Sequence, residues 1–169
     1  MKTLYIVRHA KSSWADPSLD DFKRGLNERG KRDAPRMGKR LKEKDVHPDY
    51  MLSSPAKRAL STAKRIGEIL NYPKEKIKTN PLLYHADEDT LLSVVQTLND
   101  KHNAVFIFGH NPGLTDFVNS IAETEVYIDN IPTCGVVAYT IPVESWNDVR
   151  WKSGKLLFFD FPKAAIGGS

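Results

Sequence analysis

His9 follows the apolar run Thr3-Leu4-Tyr5-Ile6-Val7 with Arg8 between, and His110 follows Ala104-Val105-Phe106-Ile107-Phe108 with Gly109 between. In open α/β sheets ligands sit outside the carboxyl ends of the strands. If both runs are strands of one parallel sheet, two residues distant in sequence face one crevice. Arg58, near the start of a helix after Ser53-Ser54-Pro55, completes a cationic cup rich in donors. Such a cup suits a phosphoryl group, because guanidinium groups bind its oxygens through forked, charge-assisted hydrogen bonds and helix N-termini add backbone N–H donors. A neutral imidazole nitrogen aimed at phosphorus is a nucleophile, and a covalent phosphohistidine splits one displacement into two. The protein then has mainly to position and to stabilise charge, which calls for no metal and no cofactor. One histidine at a strand end is ordinarily structural. Two, one beside arginine and the other followed by Asn111-Pro112-Gly113, favour a site; His47, His85 and His102 lack this placing and read as surface residues.

The elements that must position these residues alternate. Thr3 to Val7 and Ala104 to Phe108 have the continuous apolar character of strands buried on both faces. Asn27 is a plausible cap for a helix from Glu28 to about Lys44, in which Pro35 predicts a kink or a later start. Asp49 to Leu52 is a short strand; Ser54-Pro55 supplies a cap and a first-turn proline for a helix to about Leu70. Ile77 to Thr79 is a further strand, Thr90 to Leu98 has helical periodicity, and a helix runs from about Leu114 to Ile121. Gly135 to Ile141 and Trp151 to Phe161 read as two strands joined by a turn containing Pro142, Asn147 and Asp148, hence antiparallel. The expectation is one α/β domain over 1–169, a three-layer α/β/α sandwich with a mainly parallel central sheet and an antiparallel C-terminal addition.

At 169 residues the chain can bury a core without a metal or disulfide to staple it. Its single cysteine, Cys134, makes no internal disulfide and belongs to no ligand cluster, so we expect a reducing, cytoplasmic setting. No apolar run has the length of a signal peptide or a membrane span. The excess of 25 Lys+Arg over 21 Asp+Glu suits a nucleic-acid binder, a pocket for phosphorylated substrates, or a solvated helical face, and does not by itself decide among them.

The segment Leu4-Tyr5-Ile6-Val7-Arg8-His9-Ala10-Lys11-Ser12 resembles the signature of the histidine phosphatase superfamily, with its phosphoglycerate mutase-like fold, in the SixA-like branch of phosphohistidine phosphatases. The later blocks Leu26-Asn27-Glu28-Arg29-Gly30, Ser53-Ser54-Pro55-Ala56-Lys57-Arg58-Ala59 and Gly109-His110-Asn111-Pro112-Gly113-Leu114 resemble that family's successive motifs, in order. The resemblance implies that His9 accepts the phosphoryl group, with Arg8, Arg58 and His110 surrounding it. It also suggests Lys11 and Ser12 as further substrate-binding donors, and Arg24 as a residue reaching over the pocket mouth. Two departures stand out. The usual Arg-His-Gly is Arg-His-Ala here. Where many members carry a Glu or Asp that protonates the leaving group, this chain reads Pro81-Leu82-Leu83-Tyr84-His85-Ala86-Asp87-Glu88-Asp89, which leaves His85 and Asp87 as possible proton donors, Asp87 being equally a helix cap. Phosphohistidine, whose P–N bond is already labile, tolerates a missing acid better than an alkyl phosphate does.

Other phosphatase designs are absent. Thr140 stands where a cysteine-loop enzyme would place its arginine after Cys134, and there is no Asp-x-Asp after a strand, no dense Asp/His set for two metals and no P-loop. The expected partner is a phosphorylated protein or a small phosphorylated metabolite, with no nucleic acid and no membrane. The competing readings are a phosphatase of small phosphate esters and a non-catalytic module that binds phosphoproteins. The short stretch from Lys11 to Gly25 suggests an open pocket.

Overall fold

The computed structural model describes residues 1–125 and 127–164; of the domain expected over 1–169, Val126 and residues 165–169 lie outside the described residues. Six strands form one sheet in the order β3-β2-β4-β1-β5-β6, where β1 is Lys2–Arg8, β2 Tyr50–Ser53, β3 Lys78–Thr79, β4 Ala104–Gly109, β5 Val136–Ile141 and β6 Lys155–Asp160. β3, β2, β4 and β1 are mutually parallel, β5 runs against β1, and β6 against β5. The helices are α1 (Glu28–Glu43), α2 (Lys57–Ile69), α3 (Glu88–Gln96) and α4 (Gly113–Ile121).

The strands read as apolar runs because both faces are covered. Leu4, Ile6, Val105, Ile107, Val137 and Tyr139 pack with α3 and α4, whereas Tyr5, Val7, Phe106, Phe108, Val136 and Ala138 pack with α1 and α2. Alternate residues of one strand therefore serve opposite cores, as the two-residue period of a strand requires. The two helical layers differ in charge. α1 and α2 expose Lys31, Arg32, Arg36, Lys39, Lys42, Lys57 and Lys64, while α3 and α4 contain Glu88, Asp89 and Asp116 but no Lys or Arg. Among the described residues no helix is long and apolar enough to cross a membrane.

Asn27 caps α1 as expected, its side chain accepting from Gly30 N at 2.8 Å. The helix neither starts late nor breaks at Pro35 but runs on through it. Three elements differ more. α2 begins two residues after Pro55, with Ala56 at its cap; the Ser54 hydroxyl accepts from Ala56 N at 3.2 Å, ahead of the helix, and also meets His110. The last strand begins at Lys155; Trp151 instead packs edge-on against Phe117 at 5.8 Å between ring centres. The connection before it is more than a turn. It carries a 3₁₀ helix, Trp146–Asp148, whose Trp146 is fully buried and donates from Nε1 to His102 O at 2.8 Å.

Candidate active site

The register of the central strands sets the site. Arg8 of β1 pairs with Gly109 of β4, so the residues that follow, His9 and His110, leave the sheet side by side, and His9 N donates to Gly109 O at 3.1 Å. Their ring centres are 5.3 Å apart and both side chains are almost wholly buried. Ser53 of β2 pairs with Phe108, which sets Ser54 on the other flank of His110. Thr62 of α2 accepts from Ala10 N at 2.9 Å and donates to Arg58 O at 2.8 Å, tying the loop after β1 to the helix that carries Arg58.

Each imidazole has one end fixed. His9 Nδ1 lies 2.7 Å from Ala10 O; since a carbonyl only accepts, Nδ1 carries the proton and Nε2 has the free lone pair. His110 Nε2 lies 2.8 Å from Ser54 Oγ, and its Nδ1 is buried with no protein partner. Burial, reinforced by the positive charges of Arg58, Arg8 and Arg24, holds the pKa of His9 down at about 4. Burial and then Arg58 bring that of His110 to about 3. Both rings are neutral at pH 7.

Three guanidinium groups complete the cup. Arg8 Nη1 donates to Ile131 O at 2.9 Å, an acceptor shared with Asn111 Nδ2 at 3.0 Å. Arg58 donates from Nη1 to Asp21 O at 2.7 Å and from Nη2 to Asp21 Oδ2 at 2.9 Å. Arg24 donates from Nη1 to Ser12 Oγ and from Nη2 to Asp21 Oδ1 at 2.8 Å, with Trp14 stacked over it. In all three the Nε atom is buried and has no partner within the protein. Buried N–H donors are almost always satisfied, so three such orphans together with His110 Nδ1 stand out as polar groups with no partner in the protein.

The sequence-predicted residues thus divide. His9, His110, Arg8, Arg58 and Arg24 converge; Ser12 serves as the acceptor that steadies Arg24. Lys11 is exposed, and the fold uses its carbonyl, which accepts from Asn27 N at 3.0 Å. Asp87 is occupied as the cap of α3, accepting from Thr90 N at 2.8 Å, and is exposed to solvent. His85 does reach the mouth: its ring is 6.2 Å from that of His110, its Nε2 is 3.9 Å from Asp21 Oδ2, and its backbone has φ 58°. The stretch from Lys11 to Gly25 is not an open rim. Ser12 bridges to Leu26, and the 3₁₀ turn Asp21–Lys23 lays Asp21 over Arg58. Asp21 and Tyr84, whose hydroxyl donates to Asp21 Oδ2 at 2.6 Å, were missed by sequence reasoning. The one available signal was the run Asp20-Asp21-Phe22-Lys23-Arg24, an acid three residues before an arginine, in a segment with no period to give it direction.

The chain is similar to known proteins along most of its length. Residues 4–83 match the family model of the histidine phosphatase superfamily, branch 1. The crystal structure of the putative phosphohistidine phosphatase SixA from Agrobacterium tumefaciens is 27% identical, covers 94% of this chain and 96% of its own, and superposes with a TM-score of 0.79. The protein histidine phosphatase SixA complexed with tungstate shares the fold, with 23% identity, a TM-score of 0.80, and coverage of 95% of this chain and 97% of that one. An uncharacterized chloroplastic protein of Arabidopsis thaliana is 25% identical over 161 residues, which are 90% of this chain and 72% of that protein. From its first strand to the loop before α3 the chain is similar to the histidine phosphatase superfamily, and it shares the fold of such phosphatases along nearly all its length: it is a phosphatase of that fold.

Proposed function

We propose that the chain works as one catalytic domain in which His9 Nε2 attacks phosphorus, without a metal, and forms a covalent phosphohistidine. The observation that carries this reading is the bond from His9 Nδ1–H to Ala10 O, which leaves Nε2 as the free base inside a cup of three guanidinium groups. As the bond from Nε2 to phosphorus forms, the bond from phosphorus to the leaving group breaks. Arg8, Arg24 and Arg58 supply the positive charge for the equatorial oxygens. With its proton on Nδ1, His110 accepts from the Ser54 hydroxyl and offers one more donor to the same oxygens. Water then attacks the phosphorylated His9, releasing phosphate and restoring the imidazole.

His85 is our candidate for the proton that the leaving group takes up and the attacking water returns, since Asp87 is spent on its helix. The substrate we propose is phosphohistidine in a signalling or phosphocarrier protein. No Asp or Glu lies between Pro81 and Ala86 to protonate a poor leaving group, and the exposed Trp14 and Phe22 beside Arg24 and Tyr84 give a protein surface something to rest on. Small phosphate esters are the second reading, favoured by the approach of His85 to the site.

Alkaline quenching after reaction with radiolabelled substrate is expected to trap a label that is stable to base and labile to acid, absent from His9→Ala. His9→Ala should lose activity by about 10³-fold or more while chelators leave the wild type unaffected. Turnover retained in folded His9→Ala would remove His9 from the role. Rates on phosphohistidine proteins compared with alkyl phosphates decide the substrate; a preference for the alkyl esters selects the second reading.

A further inference from the structure

Asp21 is the most heavily engaged side chain at the mouth. Its Oδ1 accepts from Arg24, its Oδ2 from Arg58 and from the Tyr84 hydroxyl, and its backbone carbonyl from Arg58 again. The carboxylate is held well below the usual carboxylate range, first by the Tyr84 hydroxyl and then by the two guanidinium groups, so it is ionised wherever the enzyme works.

A guanidinium is a rigid planar fork, so fixing its Nη end fixes the direction of its Nε–H. Both Nη atoms of Arg58 are held by Asp21, those of Arg24 by Asp21 and Ser12, and in each arginine the buried atom left over is Nε. We propose that Asp21 is a positioning residue: by gripping Arg24 and Arg58 at their Nη ends it turns both Nε–H groups toward the phosphoryl oxygens. This rests on the reading of the cup as a phosphoryl site. The negative charge has a second effect, since it lies between two buried cations that repel one another and lets both remain in place before an anion arrives. Asp21 acts through the arginines and does not itself touch the reacting atoms.

A carboxylate on two arginines has an opposite meaning too, that of a plug competing with phosphate for them, and the two predict opposite signs. The test measures inhibition by inorganic phosphate and by vanadate, together with kcat and KM for para-nitrophenyl phosphate, on the full chain as wild type, Asp21→Asn and Asp21→Ala. Misplacing a binding group by about 1 Å costs roughly 10²-fold. Asp21→Ala is therefore expected to weaken phosphate and vanadate binding and to lower kcat/KM by 10- to 100-fold. Asp21→Asn, which keeps an acceptor but no charge, should fall between, and the His9 titration should stay where it is. Thermal melts with and without phosphate separate this from general damage, since the wild type gains melting temperature with phosphate and Asp21→Ala, though folded, gains less. Should Asp21→Ala not fold, Asp21→Asn carries the same comparison. Phosphate binding unchanged within two-fold, or tighter, in the folded variant overturns the proposal. Phosphate affinity repeated in the His9→Ala background does not depend on turnover, so failure of the nucleophile assignment and failure of the Asp21 role give different results.

Discussion

At the scale of single residues, the nucleophile we propose is kept ready by being kept uncharged. His9 sits at about pKa 4 because burial, and then three arginines, disfavour the imidazolium. We therefore expect its ring to titrate near pH 4 in nitrogen NMR spectra of the free enzyme, and a midpoint between 6 and 7 would contradict this. The same depression ties stability to pH. Between the ordinary histidine value of about 6.5 and the folded values of about 4 for His9 and about 3 for His110, the unfolded chain binds protons that the folded chain does not. That part of the stability is complete above about pH 6.5 and declines as pH falls to about 3. For His9 alone the loss is of the order of 3 kcal/mol. Denaturant midpoints at pH 7, 5 and 4 measure it, and a midpoint that does not fall from pH 7 to pH 4 would contradict the buried neutral pair. Ser54 was invisible in sequence as the partner of His110, because that contact depends on the β2–β4 register, which no local pattern encodes; the Ala10 carbonyl lies one residue from His9, but the ring orientation that meets it is set by the packed site.

At the scale of elements, helix starts carry much of the precision. Removing the Asn27 cap of α1 by Asn27→Ala should cost about 1 kcal/mol, read as a lower melting temperature with kcat little changed. Gly113 opens α4 where a Cβ would stand 1.9 Å from the Ala86 carbonyl, a contact with backbone that no rotamer relieves. Gly113→Ala should therefore destabilise by about 2–3 kcal/mol and, by pushing α4 from the segment that bears His85, lower activity as well; wild-type stability would show that this approach is not tight. β1 and β4 were legible because a strand buried on both faces is an unbroken apolar run, and placing His9 and His110 needed nothing more. The loop before α1 was not. Its residues obey no period, and its 3₁₀ turn is held by Asp21 meeting Arg24 within the loop and Arg58 from α2. The Trp146 turn was lost for the same reason, one large apolar residue among polar ones giving no periodic signal.

At the scale of the whole molecule, the sheet divides two cores and brings its chemistry to one end. The fully buried Trp146 closes the α3/α4 core far along the sequence from either histidine. Trp146→Ala should cost about 3–5 kcal/mol in a chemical denaturation experiment, with KM unaltered in the protein that remains folded. The helical layers, basic on one side of the sheet and acidic on the other, have a further consequence, for the solution rather than the site. A body with positive and negative charge on opposite faces is an electric dipole lying across its own sheet, and two copies attract when basic face meets acidic face. Charges are felt over about 30 Å at 0.01 M salt but only about 8 Å at 0.15 M. Light scattering should accordingly show attraction between molecules in dilute buffer that vanishes as salt is added, and the protein should be held by cation and anion exchangers alike at low ionic strength.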